Sequence, residues 1–432
     1  MSDESRPEPA DGAPKRRGKA ARKHTVGRVV LISALVLALI TGLGTVYFIR
    51  HLNGNIEGLS LDALGDEVRP EKVFTGNGEP LNILVMGSDS RDCEGCGIDK
   101  EGGGGSDTTI LVHLSADRSR AYAVSIPRDS IIDRPECNDG DSAAATEVMW
   151  NAAYSVGGPV CTLDQLETTT GIYVDHFIVV DFASFGDMVD AVGGVPVCVP
   201  EDIVDRQHQI FVPKGDPSVL SGDEALDYVR ARYVGEQIQQ NDLSRIRRQQ
   251  EVIGALVREV QSTGTQTRLD KVVKFLDAAT KSLTTDEEFA SVTRLGKVAM
   301  QLQNIGLDKV KFVTLPTEYY PRDSEFWGKV KWTPEAEQIW KLINEDKVIP
   351  PRLLGGNSVS AEGPPGSSET PSPSADGESP SESPSETPSE TPSETPSETP
   401  SETPSETASP SETATPEAPA TTEPDPVPGI CA

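Results

Sequence analysis

Several short stretches of this chain put acids beside arginines. Asp89 and Arg91 lie in "GSDSR", Asp107 sits in "GSD", and Arg128 in "SIPRD". Further on, residues 228–250 read "YVRARYVGEQIQQNDLSRIRRQQ", five arginines in a chain whose formal net charge is −29. Two carboxylates at the ends of adjacent strands can share a hard cation such as Mg²⁺, which takes oxygen ligands and brings phosphates with it. Guanidinium forks match phosphate oxygens in a two-point fashion that an ammonium cannot. No lysine occurs between Lys100 and Lys214, so the basic groups near these turns are all arginine. On a helix, Asp242, Arg245 and Gln249 are spaced i, i+3, i+7 and share one face. Such a set suits the handling of a phosphate group. Plainer alternatives stand beside it: ordinary turn aspartates after glycine, and an Asp242–Arg245 surface pair with solvated neighbours.

Other chemistries start weak. There is no H-E-x-x-H zinc motif and no G-x-S-x-G nucleophile turn. His113 lies in an apolar run and reads as a satisfied core or edge histidine. Cys93 and Cys96 form C-E-G-C with no second half-site, which points to a local disulfide and away from zinc. Cys137 with Cys161 is the second expected disulfide, and Cys198, between two valines, reads as a small buried hydrophobe.

The elements that must position these residues alternate in type. "LNILVMG" (81–87), "TTILVHL" (108–114), "AYAVSIP" (121–127), "DHFIVVDF" (175–182) and "VPVCVP" (195–200) read as strands. Residues 151–171 carry helical spacing ending at a glycine suited to a C-cap. A short helix is expected in "ASFGDMVDAVGG", another after the Ser221 cap, and longer ones over 242–260 and 269–300. Arg230 and Arg232, two apart, are expected on one face of a strand. Of the other three arginines in that stretch, Arg245 is expected at the site, whereas Arg247 and Arg248 are expected on a solvated face. "KVKFVTLPT" (309–317) supplies a late strand. Alternation of this kind implies an α/β fold, a sheet with helices on both faces.

Charge divides the chain more sharply. Val29–Ile49 is 21 residues without a charge, long enough to cross about 30 Å of hydrocarbon. Seven Lys and Arg residues precede it, from Lys15 to Arg28, so the amino terminus is expected in the cytoplasm and the rest outside. From Asn357 onward there are 13 Glu, two Asp and no Lys or Arg, so the tail carries −15 of the −29. Its S-E-T-P repeats cannot bury a core and read as an extended spacer. The organisation expected is a basic cytoplasmic segment (1–28), a transmembrane anchor (29–49) and a stalk (50–77). A catalytic domain (78–355) and a disordered Ser/Glu/Thr/Pro-rich tail (356–432) follow. The acidic balance and the absence of a helix-turn-helix exclude a nucleic-acid partner.

Eight blocks, "LNILVMGSDSR", "SDTTILVHL", "VSIPRDS", "NAAYSVGGP", "TGIYVDHFIVVDF", "MVDAVGGVPVCVP", "LSGDEALDYVRAR" and "DLSRIRRQQ", occur in this order between Leu81 and about Val260. The series resembles the LytR-CpsA-Psr family of cell-envelope phosphotransferases. The resemblance implies a three-layer α-β-α sandwich with a central mixed sheet and a hydrophobic tunnel for a polyprenyl chain. It implies transfer of a glycopolymer from a polyprenyl-pyrophosphate carrier to a peptidoglycan acceptor, forming a phosphodiester. By the same resemblance Asp89 and Asp107 are the Mg²⁺-linked aspartates. Arg128, Arg230, Arg232 and Arg245 grip the pyrophosphate, with Asp242 and Gln249 in support. One departure stands out: the family often has Arg before "SD", whereas Gly105 and Ser106 precede Asp107 here, with Arg91 as the candidate substitute. A polyprenyl-pyrophosphate hydrolase and a non-catalytic surface-binding module are the competing readings.

Overall fold

The computed structural model describes residues 23–64, 69–74, 76, 78–88, 105–137, 142–206, 208–231, 242–354 and 358–361. The expectations for Asp89, Arg91, Arg232, the Cys93–Cys96 pair and the repeat tail fall outside those residues.

Eight strands form one mixed sheet: β1 (Glu57–Leu59), β2 (Leu81–Ser88), β3 (Ser106–Leu114), β4 (Ala121–Ile126), β5 (His176–Asp181), β6 (Leu283–Asp286), β7 (Val310–Thr314) and β8 (Ser358–Ser360). Their order is β1-β6-β5-β2-β3-β4-β7-β8. β2 runs parallel to β5 and antiparallel to β3, and β4 is antiparallel to β3 and parallel to β7. β2, β4 and β5 therefore all end on the edge where β3 begins. That single topological fact brings Ser88, Asp107, Arg128 and Asp181 to one edge.

The central strands read as continuous apolar runs because both of their faces are covered. Leu84, Met86, Leu111, Val124, Phe177 and Val313 pack on one face against α2 (Ala152–Thr170) and α8 (Pro334–Asn344), through Leu163, Leu166, Ile339 and Trp340. On the other face Ile110, Ala123 and Phe312 meet Ile253 of α5 (Asp242–Gln261). Beside α5 lie α3 (Phe182–Val192), α4 (Gly222–Arg230) and α6 (Leu269–Lys281), whose Val189, Tyr228 and Phe275 make a second core with Val252 of α5. α1 (Lys23–Asn55) is the one helix among the described residues long and apolar enough to cross a membrane. The expected helix over 151–171 is α2, closed by Gly171 in the left-handed region at φ 69°.

Four expectations are corrected. Arg230 is not on a strand: Ser221 and Glu224 make a reciprocal capping box, and Ala225, Leu226, Tyr228 and Val229 bury one face, so α4 carries on through Arg230. The helix expected over 269–300 is two, α6 and α7 (Val292–Ile305), separated by β6, which bridges β1 and β5. Cys198 is buried but also disulfide-bonded, to a partner outside the described residues. The segment read as the beginning of the tail contains β8, an edge strand paired with β7 through Lys311–Ser360 to Val313–Ser358. The Cys137–Cys161 disulfide is formed as expected. So is the burial of His113, whose Nδ1 lies 2.7 Å from Asn82 Oδ1 and Nε2 3.2 Å from Asp346 Oδ1.

Candidate anion site at the end of an apolar cavity

Asp107 is the second residue of β3, beside a register shift between Gly87 and Ser88 of β2 that re-aims the strand end. Its neighbour Ser106 is buried, with its hydroxyl donating to the Thr108 carbonyl oxygen at 2.7 Å. The chain leaves β4 through Pro127, and Arg128 then reaches back so that its Nη1 donates to Asp107 Oδ1 at 2.6 Å. From the first turn of α5, Arg245 places Nη2 3.5 Å from Asp107 Oδ2. Asp107, Arg128 and Arg245 come from three separate elements and meet at one point. Arg245 is only 7% exposed, so its charge is held in place and partly desolvated before any ligand arrives.

Gln249, one turn after Arg245 and buried, lies where this polar cluster passes into a cavity of about 180 Å³. Val85, Met86 and Gly87 of β2, Thr108 and Ile110 of β3, and Val252 and Ile253 of α5 make part of its wall. Phe182, Phe185 and Met188 line it from successive turns of α3. Phe182 fits because Gly87 has no side chain: a Cβ there would sit 2.7 Å from the ring's Cζ. Arg230, at the end of α4, holds its Cζ 5.9 Å from the Phe182 ring centroid, within cation–π range. The site therefore pairs a cationic head region with an oily slot, the complement of an anionic amphiphile.

Arg248 corrects the expectation of a solvated face. It is fully buried, with Nε donating to the Tyr228 carbonyl oxygen at 3.0 Å and Nη2 donating to that of Ala231. Burial lowers its pKa to about 10, so it stays charged at neutral pH. Its two acceptors are the last carbonyls of α4, where a cation complements the helix dipole. Arg248 thus holds the α4 terminus that carries Arg230. Arg247 is half-buried, and burial pulls its pKa down also.

Asp242 begins α5 on the backbone, as its spacing implied. Arg245, in the first turn of α5, stands at the positive end of the helix dipole, an arrangement that an anion at that end would relieve. The residues that sequence reasoning missed are apolar: Phe182, Phe185 and Met188 at i, i+3, i+6 after a strand, together with Val229. A helical apolar stripe looks the same whether it faces a core or a slot, and only Gly87 opposite it hints at the difference.

Asp107 offers hard oxygen ligands of the kind Mg²⁺ takes, and Mg²⁺ commonly binds one or two carboxylates plus substrate phosphates. Among the described residues no group of three His, Cys, Asp or Glu could hold a metal by itself. An ion held at Asp107 would take its further oxygen ligands from a bound phosphate.

The match to the LytR_cpsA_psr family spans residues 51–347. The polyisoprenyl-teichoic acid–peptidoglycan teichoic acid transferase TagV of Bacillus subtilis is 32% identical over 256 residues, 57% of this chain and 61% of TagV. The cell wall biosynthesis protein LcpA of Corynebacterium glutamicum is 29% identical over 383 residues, 80% of this chain and 70% of LcpA. The crystal structure of protein gbs0355 from Streptococcus agalactiae shares the fold at 23% identity and a TM-score of 0.51, over 63% of this chain and 89% of that one. The family match takes in β1 to β7 of the sheet, both helical layers and the arginine site, and the chain belongs to the LytR_cpsA_psr family.

Proposed function

We propose that the protein is a membrane-anchored phosphotransferase that moves a glycopolymer from a polyprenyl-pyrophosphate carrier to peptidoglycan, forming a phosphodiester. The observation that carries this reading is the junction at Gln249 of the Asp107–Arg128–Arg245 cluster with an apolar cavity. A pyrophosphate linked to an isoprenoid needs both halves. TagV, a polyisoprenyl-teichoic acid–peptidoglycan teichoic acid transferase by name, supports the same substrate class, and LcpA, a cell wall biosynthesis protein by name, supports the cell-wall setting.

In this reading Val29–Ile49 crosses the bilayer with the basic end in the cytoplasm, and the folded domain lies outside. Arg128 and Arg245 hold the diphosphate, and Arg230 and Arg232 complete the grip from the α4 end. The leaving polyprenyl phosphate gains negative charge as the anhydride bond breaks, and fixed guanidinium groups stabilise it without reorganising. A sugar hydroxyl of the acceptor must lose its proton as it attacks, and Asp89 or Asp107 accepts it through a carboxylate oxygen left free of the metal. Mg²⁺, held by Asp107 and Asp89 with the diphosphate, would supply further charge neutralisation. Asp242 and Gln249 orient Arg245 and the diphosphate.

The test uses the full-length chain with a polyprenyl-pyrophosphate glycopolymer, with and without peptidoglycan oligomers. Transfer is expected when oligomers are present. Release of free phosphorylated polymer at an equal rate in both would show a hydrolase instead. Arg128→Ala and Arg245→Ala should each lower turnover by roughly 10²-fold or more, the usual cost of one lost electrostatic donor. Near-wild-type turnover in both variants sinks the assigned site.

A further inference from the structure

We propose that the amino-terminal end of α6, with Val219 beside it, is a foot that rests in the interface of an anionic bilayer and sets the height of the site above it. This rests on the single-span reading of α1. The apolar stretch of α1 does not end in a loose stalk. Beyond it, His51 Nε2 lies 3.0 Å from Asp277 Oδ1, and Asn55 Nδ2 donates to Asp277 Oδ1 at 3.3 Å and to Thr280 Oγ1 at 3.1 Å. Asn53 Oδ1 accepts the Val292 backbone N–H at 2.9 Å, and Leu52 is 1% exposed. The end of the anchor is thus packed into the domain.

The contacts fix a direction. Both His51 and Asn55 reach Asp277, but only Asn55 reaches Thr280, so α1 and α6 run the same way. Phe48, partly buried in the stretch otherwise exposed along α1, shows that the packing reaches back toward the span. Leu269 stands eight residues before Asp277, about 12 Å back along the axis at 1.5 Å per residue. That is level with the last two turns of Val29–Ile49.

What α6 presents there suits a lipid interface. Leu269 is 75% exposed, with Val273 one turn on, and Arg268 and Lys274 are exposed beside them. Asp270 is the one acid in this end, paired with Arg268 at 3.3 Å, and Lys271 donates to the Val192 carbonyl oxygen at the end of α3. A second segment reaches the same place. A Cβ on Gly193 would lie 3.1 Å from Lys271 Nζ, and one on Gly194 would lie 2.9 Å from Cγ1 of Val219, which is 60% exposed. Exposed Leu269 and Val273 carried beside Arg268, Lys271 and Lys274 on one helix end fit a surface that lies in an anionic headgroup layer. α3 connects this foot to the site, since Phe182 begins it beside Arg230 and Val192 ends it at Lys271. The cavity follows the first two turns of α3 in that direction.

The test uses the full-length chain in nanodiscs of equal parts phosphatidylglycerol and phosphatidylcholine, with nitroxide-bearing lipids as quenchers. An environment-sensitive fluorophore is attached through Leu269→Cys, Tyr47→Cys or Trp327→Cys in separate samples, with the unsubstituted chain as the labelling background. Trp327 is 63% exposed, two residues before Lys329, which pairs with Asp129 at the Asp107 edge of the sheet, the edge away from the foot. Quenching at positions 47 and 269 alike, severalfold above that at 327, is expected. Lys274→Glu should lower the interfacial fraction at 269 by about fivefold or more, the worth of one basic side chain near an anionic leaflet. Quenching at 47 but not at 269 overturns the foot and leaves the anchor intact. No quenching at either overturns the single-span reading, and the foot falls with it. Equal quenching at 269 in purely phosphatidylcholine discs overturns the anionic preference.

Discussion

At the scale of single residues, two arginines three positions apart on α5 do opposite work. Arg245 points its guanidinium at Asp107, while Arg248 spends its donors on the carbonyl oxygens of Tyr228 and Ala231. Arg248→Ala should therefore destabilise the fold by about 3 kcal/mol, because two buried acceptors lose their donor and a cavity opens. Urea denaturation measures this, and a change within about 0.5 kcal/mol, as for a surface site, would refute the role. Arg245→Ala should leave the urea midpoint nearly unchanged and remove activity. Arg245→Lys should recover little, since an ammonium keeps the charge and loses the two-point fork. Spacing alone could not separate the two, because both carry the same charge within one turn of the same helix. The difference lies in what α4 places opposite each, and α4 is itself the element whose "YVRAR" reads locally as strand.

At the scale of elements, the strands that position the site were legible because each is buried on both faces and so reads as an unbroken apolar run. The edge pieces were not. β1 and β8 are three residues each, and β6, "LTTD", carries too little pattern to interrupt the helical spacing on either side. Convergence was hidden as well, since Asp107 and Arg245 are joined only by the way the strands reverse. The same edge yields a test of the cavity. Gly87→Ala would push the Phe182 ring into the slot at a packing cost of roughly 1–3 kcal/mol. Turnover of a long-chain polyprenyl donor should fall roughly tenfold, with a short-chain donor affected less. Equal loss on both donors would show that the slot does not hold the chain. At the opposite edge, Asp346 ties β3 to the end of α8. Burial raises its carboxyl, but the hydrogen bonds from His113 and the Ala116 N–H, with the nearby Arg120 charge, outweigh that and hold it below the ordinary carboxylate value. An acid depressed in this way stabilises the fold above the unfolded value of about 3.9 and loses that contribution as pH falls through its lower folded value. Asp346→Asn keeps the left-handed backbone at φ 49° that asparagine tolerates. It should lower Tm near neutral pH and flatten the acid limb of the Tm–pH curve. An unchanged acid limb would refute the assignment.

At the scale of the whole molecule, the folded part reaches further along the chain at both ends than hydropathy and composition imply. The segment after the span contributes β1, which pairs with β6, so the anchor enters the sheet almost directly. At the other end, where Ser/Glu/Pro composition begins to dominate, Ser358–Ser360 still pairs with β7. Ala361 is 1% exposed, its N–H donates to the Val310 carbonyl oxygen at 3.1 Å, and its own carbonyl oxygen accepts from Arg258 Nη1 at 3.0 Å. Arg258 is on α5, so this last strand braces the helix that carries Arg245 four turns earlier. Two truncations should then differ sharply although only nine residues separate them. Removing 364–432 takes away the Ser/Glu/Thr/Pro repeats together with Cys431, and the Tm of that shortened chain is the reference. Removing 355–432 strips β8, unpairs the outer edge of β7 and orphans Arg258, and Tm should fall by roughly 5 °C. Calorimetry on both shortened chains decides it: equal melting temperatures would mean that β8 adds nothing to the sheet and that the domain ends at α8.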